Sequence, residues 1–208
     1  MSNAELVFYT NPMSRGRIVR WLLEELGAPY QTVLLDYATT MKEPEYLSIN
    51  PMGKVPAIRH GDIVVTETAA ICTYLADTFA DAGLAPVPGS RLRGSYYRWL
   101  YFTAGPIEAA VSNQALGFVV PKNREGMIGY GTYERTMDVL ESAVSQGAYL
   151  LGDTFSTADI YTGSYLGFAM QTGGIEKRPA FEAYWSRIST RPAAVRARRI
   201  DDALIPQK

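Results

Sequence analysis

The sequence predicts an α/β domain followed by an all-α helical domain, and three observations carry that prediction. The first eighty residues alternate short β-like runs with amphipathic helical patterns; a stretch rich in Pro, Gly and small residues then breaks the periodicity; only long helical patterns follow. The chain has 208 residues, 47% hydrophobic and 20% charged, a balance that suits globular folding and excludes disorder or a fibre.

Leu6-Val7-Phe8-Tyr9 is an apolar run that ends at the breaker pair Asn11-Pro12, and it reads as a first strand. Ile18, Val19, Leu22, Leu23 and Leu26 then recur at helical spacing until Gly27, a helix with a glycine stop. Tyr30 to Leu35 is a second β-like run and Pro44 to Leu47 a short helical piece. Ala57-Ile58 and Ile63-Val64-Val65 flank His60-Gly61-Asp62 as the arms of a hairpin. Thr66-Glu67-Thr68 opens another helix, with Ile71, Tyr74, Leu75 and Thr78 on one face. The order is β-α-β, then α, then β-β-α: the first unit needs a parallel, right-handed crossover and the hairpin adds antiparallel strands. That is a thioredoxin-like order.

Asp81 to Ser90 (DAGLAPVPGS) reads as an interdomain linker. The expected domains are therefore 1–80 and 90–208, joined by a linker over 81–89. Helical patterns cover roughly 90 to 118, 123 to 147, 157 to 172, 179 to 189 and 192 to 203. Gly105-Pro106 falls inside the first of these, where proline removes a backbone hydrogen bond and clashes with the preceding turn, so a kink is expected.

Twenty basic against twenty-one acidic residues give a net charge of -1, which leaves no excess positive field for phosphates and argues against a nucleic-acid partner. One Cys (Cys72) and one His (His60) exclude intrachain disulfides, CxxC pairs and multi-Cys/His zinc sites; no metal is expected. His60 beside Gly61-Asp62 reads as part of a turn rather than as a catalytic base. No stretch has the roughly 18 apolar residues of a membrane span, and no signal-length apolar segment follows a basic N-terminus. The expected compartment is the cytoplasm, with no membrane partner.

Four segments, in this order and spacing, carry a resemblance to the cytosolic glutathione transferases: Tyr9 to Leu26 (YTNPMSRGRIVRWLLEEL), Asn50 to Ile58 (NPMGKVPAI), Thr66 to Tyr74 (TETAAICTY) and Phe155 to Tyr161 (FSTADIY). The resemblance covers essentially the whole chain. It implies a glutathione-binding, thioredoxin-like N-terminal domain and a helical C-terminal domain. It also implies glutathione as co-substrate, a small hydrophobic electrophile as second substrate, and a homodimer.

The residues of each segment fit that chemistry. Lys54-Val55-Pro56-Ala57 suits a cis proline at a strand start, which frees neighbouring backbone groups for an extended peptide ligand; in the family this position pairs Val55 with the cysteinyl backbone of glutathione. Glu67-Thr68 stands at a helix start, where free N–H groups favour a carboxylate and a Glu side chain accepts an ammonium, the two charges of a γ-glutamyl group. Thr68 departs from the Ser usual in the family but keeps the hydroxyl. The same letters also suit plain helix capping. Lys54 is a partner for the glycyl carboxylate, and Asn11 joins the glutathione-binding set. Ser156-Thr157-Ala158-Asp159 reads as a structural capping box.

Two registers compete for the residue that activates the thiol. Ser14 followed by Arg15 resembles the Ser-Arg pair that opens this helix in the bacterial and fungal branch. Tyr9, ending the first strand, resembles the tyrosine of the tyrosine-type classes, with Asn11, Arg15, Arg17 and backbone amides as further donors. The position of the beta-type catalytic cysteine holds Arg15, with Cys72 remote, which argues against a cysteine mechanism. Met13, Tyr101, Phe102, Gly105, Phe118 and Tyr165 are the candidates for an apolar electrophile wall. Two other activities suit the same scaffold: a glutathione-dependent disulfide or peroxide reductase, and a ligand-binding protein without turnover.

Overall fold

The computed structural model describes residues 5–205 and divides into two compact units. Residues 1–4 and 206–208, which the expected domains include, lie outside the described residues. The first unit runs to Ala82 and resumes at Arg191; the second spans Gly83–Thr190.

The first unit is built on strands β1 (Leu6–Thr10), β2 (Gln31–Leu34), β3 (Ala57–His60) and β4 (Ile63–Thr66), in sheet order β2-β1-β3-β4. β1 pairs parallel with β2 and antiparallel with β3, and β4 closes the hairpin. All five residues of β1 are buried, as suits an interior strand covered on both faces, whereas β2 and β4 are edges with exposed residues. Between β1 and β2 runs α1 (Gly16–Leu26), whose Ile18, Val19, Leu22 and Leu23 are buried. Gly27 ends it at φ 63°, its N–H bonded to Leu23 O at 3.1 Å, a left-handed closure that glycine adopts without steric cost. α2 (Pro44–Leu47) and α3 (Thr68–Thr78) follow β2 and β4.

In the second unit come α4 (Leu92–Phe102), α5 (Glu108–Ala115), α6 (Tyr133–Ser145), α7 (Thr157–Thr172) and α8 (Pro179–Ser189). The break at Gly105-Pro106 takes the form of a π-helical turn, Thr103–Ile107, between α4 and α5; the wider turn absorbs the missing proline N–H. The helical pattern over 123 to 147 is split. Lys122–Met127 forms only a 3₁₀ turn, Gly131 takes φ 67°, and α6 starts after Thr132, whose hydroxyl accepts from Arg135 N–H at 3.2 Å. Glycines at 126, 129 and 131 interrupt the helix that the apolar spacing suggests.

Ser156 and Asp159 form the capping box of α7, with both reciprocal bonds present. Asp159 is fully buried, and its carboxylate also accepts from Leu150 N–H and Tyr184 hydroxyl, each at 2.8 Å. Leu84, inside the expected linker, is buried, and its carbonyl accepts from Thr157 N–H at 2.8 Å. That stretch is thus tied to the second unit from Leu84 on.

The helix read over 192 to 203 forms as α9 (Pro192–Ala203), but it packs on α1 and clusters with the first unit, not with the helical residues preceding it. Its buried face consists of Ala193, Ala194, Ala197 and Asp201. Small residues let two helix axes come close, and the charged residues beside them find opposite charges on α1. The periodicity marks the helix; these long-range ion pairs, which periodicity does not reveal, assign it to its unit.

Candidate active site

Strand register brings four chain segments to one end of the sheet. Tyr9 pairs with Ala57, Ala57 pairs with Thr66, and Thr10 pairs with Leu34. The residues that follow β1, β2 and β4 and those that precede β3 therefore leave the sheet at the same edge. These are Asn11 to Ser14, Asp36 to Lys42, Glu67-Thr68 and Lys54 to Pro56.

The turn after β1 is tied together by its own polar groups. Asn11 Nδ2 donates to Leu35 O at 2.8 Å, and Asn11 Oδ1 accepts from Met13 N–H at 2.9 Å. Ser14, half-buried, donates its hydroxyl to Asn11 O at 2.6 Å and accepts from Gly16 N–H at 2.9 Å. Arg17 Nε donates to Pro12 O at 2.6 Å. Gly16 is required by space: a Cβ there would collide with Thr10 Oγ1 and stand 3.0 Å from Ser14 Oγ. Tyr9, by contrast, is only 8% exposed and packs with Val7, Leu35, Met41, Tyr46 and Ala57, its ring 5.7 Å from that of Tyr46.

The segment before β3 is equally fixed. Asn50 Nδ2 and Tyr46 hydroxyl both donate to Lys54 O, at 2.8 and 2.6 Å. Burial pushes the Tyr46 phenol up to about 12, so it stays a donor at physiological pH. Gly53 takes φ 57°, and a Cβ there would meet Met41 O at 2.9 Å. Val55-Pro56 is a cis peptide and Val55 stands ahead of the first laddered residue, Ala57. The Lys54 side chain is exposed.

Glu67 takes φ 65°, ψ 122°, the one positive φ of a non-glycine among the described residues. Such a conformation costs about 1–3 kcal/mol and gathers at ligand sites. Its exposed side chain makes no hydrogen bond or ion pair among the described residues. Thr68, buried, is the first residue of α3, whose leading N–H groups open toward the same edge.

Two residues at this edge escape the sequence reading. Tyr37 donates its hydroxyl to Met13 O at 3.1 Å; burial raises its phenol from the ordinary value against smaller downward pulls from a bond with Ser14 and the charge of Arg15. Lys42 donates Nζ to Gly53 O at 2.7 Å, a second cation beside Lys54. The signal available for both is that residues following two parallel neighbouring strands emerge at one end of the sheet.

Met13, 66% exposed, belongs to the first unit, while the other electrophile-wall candidates belong to the second. Of these Tyr101 and Phe118 are exposed, Gly105 lies in the π-helical turn, Phe102 packs edge-on to Trp99 at 5.6 Å, and Tyr165 is buried. Cys72 is fully buried, and burial pushes its thiol far up, so it has no thiolate character. Exposure of the native protein to N-ethylmaleimide at pH 7.5 is expected to leave the intact mass unchanged, with one adduct after unfolding in guanidinium; a native adduct would contradict an inert Cys72. Among the described residues no group of three or more His, Cys, Asp or Glu is placed to hold a metal ion.

Residues 4–77 match the N-terminal domain of glutathione S-transferases and residues 114–192 match the C-terminal domain. A glutathione S-transferase of Hyoscyamus muticus is 30% identical over 73% of this chain and 76% of its own. The chain belongs to the glutathione S-transferase family. It is a glutathione-dependent transferase with the thioredoxin-like and helical domains of that family. A glutathione transferase from Methylococcus capsulatus strain Bath superposes with a TM-score of 0.80 at 29% identity, over 96% of this chain and 100% of that one. A sphingomonad glutathione S-transferase complexed with glutathione gives 0.77 at 27% identity, over 94% and 98%.

Proposed function

We propose that the chain conjugates glutathione to a small hydrophobic electrophile, with the thiolate held at the turn after β1 by Ser14. The observation that supports this is the meeting of Asn11 to Ser14, Lys54 to Pro56 and Glu67-Thr68 at one sheet edge. Glu67 receives the γ-glutamyl ammonium and the N–H groups of α3 its carboxylate. Val55 offers its backbone to the cysteinyl residue, and Lys54 with Lys42 faces the glycyl carboxylate. Ser14 accepts from Gly16 N–H, so its own proton turns from Asn11 O to the sulfur while the oxygen stays anchored. The thiol passes its proton to solvent water, and the sulfur lone pair forms the new bond to the electrophilic carbon while that carbon's bond to its leaving group breaks, the electron pair departing with the group. Tyr9, packed beneath the sheet edge, is the weaker donor candidate.

A hydrogen bond to a charged group is worth about 1.5–3 kcal/mol, and at about 1.36 kcal/mol per pKa unit one such bond brings a thiol from about 9 to about 7. Titrating the thiolate ultraviolet signal of bound glutathione between pH 5 and 9 tests this. Wild type and Tyr9→Phe are expected to show the lowered thiol pKa, and Ser14→Ala a value near that of free glutathione. An unshifted thiol in wild type would move the reading to a binding protein without thiol activation. Two further parts of the proposal are a second copy of the chain as partner, which sedimentation equilibrium tests, and a cytoplasmic location. No helix among the described residues is long and apolar enough to cross a membrane.

A further inference from the structure

α9 runs antiparallel to α1, and ion pairs from α9 and from Arg191 just before it join the two. Asp202 meets Arg17 at 2.5 Å, Asp201 meets Arg20 at 2.9 Å, Arg196 meets Glu24 at 3.2 Å and Arg191 meets Glu25 at 2.7 Å. The partners on α1 stand at i, i+3, i+7 and i+8, one face of the helix. The first pair differs from the others in what lies beyond it. Arg17 spans two structures: its Nη2 meets Asp202 of α9, and its Nε donates to Pro12 O in the turn after β1. Pro12 is buried between Asn11, which supplies the carbonyl that Ser14 bonds, and Met13, whose carbonyl holds Tyr37.

We infer that Asp202 is a positioning residue for the thiol-activating turn, acting through Arg17, so that α9 sets the geometry of a site it does not enter. An arginine fork donating from two of its nitrogens has its plane fixed by the pair of acceptors. Removing the carboxylate frees the guanidinium to rotate, and the Pro12 carbonyl loses its fixed partner. The turn carries Ser14 one hydrogen bond away, and a thiol-activating bond depends steeply on distance and angle. The Arg17 and Asp202 side chains are 33% and 54% exposed, so the pair adds little to global stability. A positional effect is therefore separable from unfolding.

The inference rests on the proposed site, and the experiment separates the two. Asp202→Asn, Asp202→Glu, Arg17→Gln, Ser14→Ala and the Asp202→Asn/Arg17→Gln double variant are compared with wild type. Hydrogen exchange, which needs no glutathione, is expected to speed up at the Met13, Ser14 and Gly16 amides in Asp202→Asn, with the melting temperature nearly unchanged. Thiolate titration is expected to raise the bound thiol pKa, and kcat at pH 6.5 with a chlorodinitrobenzene probe to fall about 10-fold, with Asp202→Glu partly restoring both. The double variant is expected to match Arg17→Gln alone at the turn, since the inferred route from Asp202 to Pro12 runs through Arg17. Unchanged exchange in Asp202→Asn overturns the inference whatever the thiol does. A lowered thiol pKa overturns it too, since an unneutralised Arg17 would then be acting as a simple charge. Faster exchange with an unshifted thiol pKa in wild type and Ser14→Ala alike overturns the proposed site, and the functional half of this inference with it.

Discussion

Asp201→Ala is expected to lower the unfolding free energy by about 3–5 kcal/mol, the cost of removing one partner from a buried ion pair. The Arg20 and Asp201 side chains are 2% and 1% exposed. The guanidinium keeps Tyr30 hydroxyl at 3.1 Å and Thr32 Oγ1 at 3.0 Å, and it lies over the rings of Phe8 and Tyr30 at 5.1 and 5.7 Å. None of these neutralises its charge, and arginine cannot shed its proton. Burial already raises the Asp201 carboxyl above its ordinary value despite the opposing pull of Arg20, so even the intact pair is held at a desolvation cost. Arg20 Nη2 and Asp201 Oδ2 have no hydrogen-bond partner among the described residues. Arg20→Met/Asp201→Leu is accordingly expected to recover most of the loss. Urea midpoints at unchanged slope measure both variants; a shift under about 0.5 kcal/mol in Asp201→Ala would mean that water reaches the stranded guanidinium.

Glu67→Gly is expected to move stability and ligand affinity in opposite directions. At φ 65°, ψ 122° the side chain holds a strained backbone, and glycine relieves about 1–3 kcal/mol of that strain. The gain is offset by about 0.5–1 kcal/mol of extra unfolded-state entropy, so the melting temperature is expected to hold or rise. If Glu67 binds as proposed, loss of the carboxylate removes a charge-assisted bond to the γ-glutamyl ammonium, about 1.5–3 kcal/mol, or roughly 10- to 150-fold in Kd. Calorimetric titration with glutathione, beside a thermal melt, reads both quantities. Full affinity in the variant would leave Glu67 as a helix-start residue without a ligand role.

The local signals were legible where one residue type has one physical use. Gly27 stops α1, the cis Val55-Pro56 precedes β3, and Ser156 with Asp159 caps α7. Pro44 and Leu47 bound α2 as their letters suggest. What the letters hide depends on register and distance in sequence. Tyr37 and Lys42 reach the sheet edge because β2 runs parallel to β1, and nothing in their own neighbourhood says so. Tyr9 and Ser14 compete as letters, but alternation along β1 sends the Tyr9 ring into the core beside Tyr46. The stretch PAAVRARRIDDA reads as one more helix of the C-terminal domain, and its partner Arg20, 181 positions from Asp201, leaves no mark in its own neighbourhood.

The division of the first unit has a consequence for biosynthesis. A ribosome delivers β1 to α3 first, then the hundred or so residues of Gly83–Thr190, and only afterwards α9. At roughly 5–20 residues per second that interval is on the order of 5–20 s, during which Arg20 waits on a nascent sheet without its carboxylate. The second unit is continuous in sequence and is free to fold in that time. The glutathione domain is thus completed only after the whole of the second unit has left the ribosome.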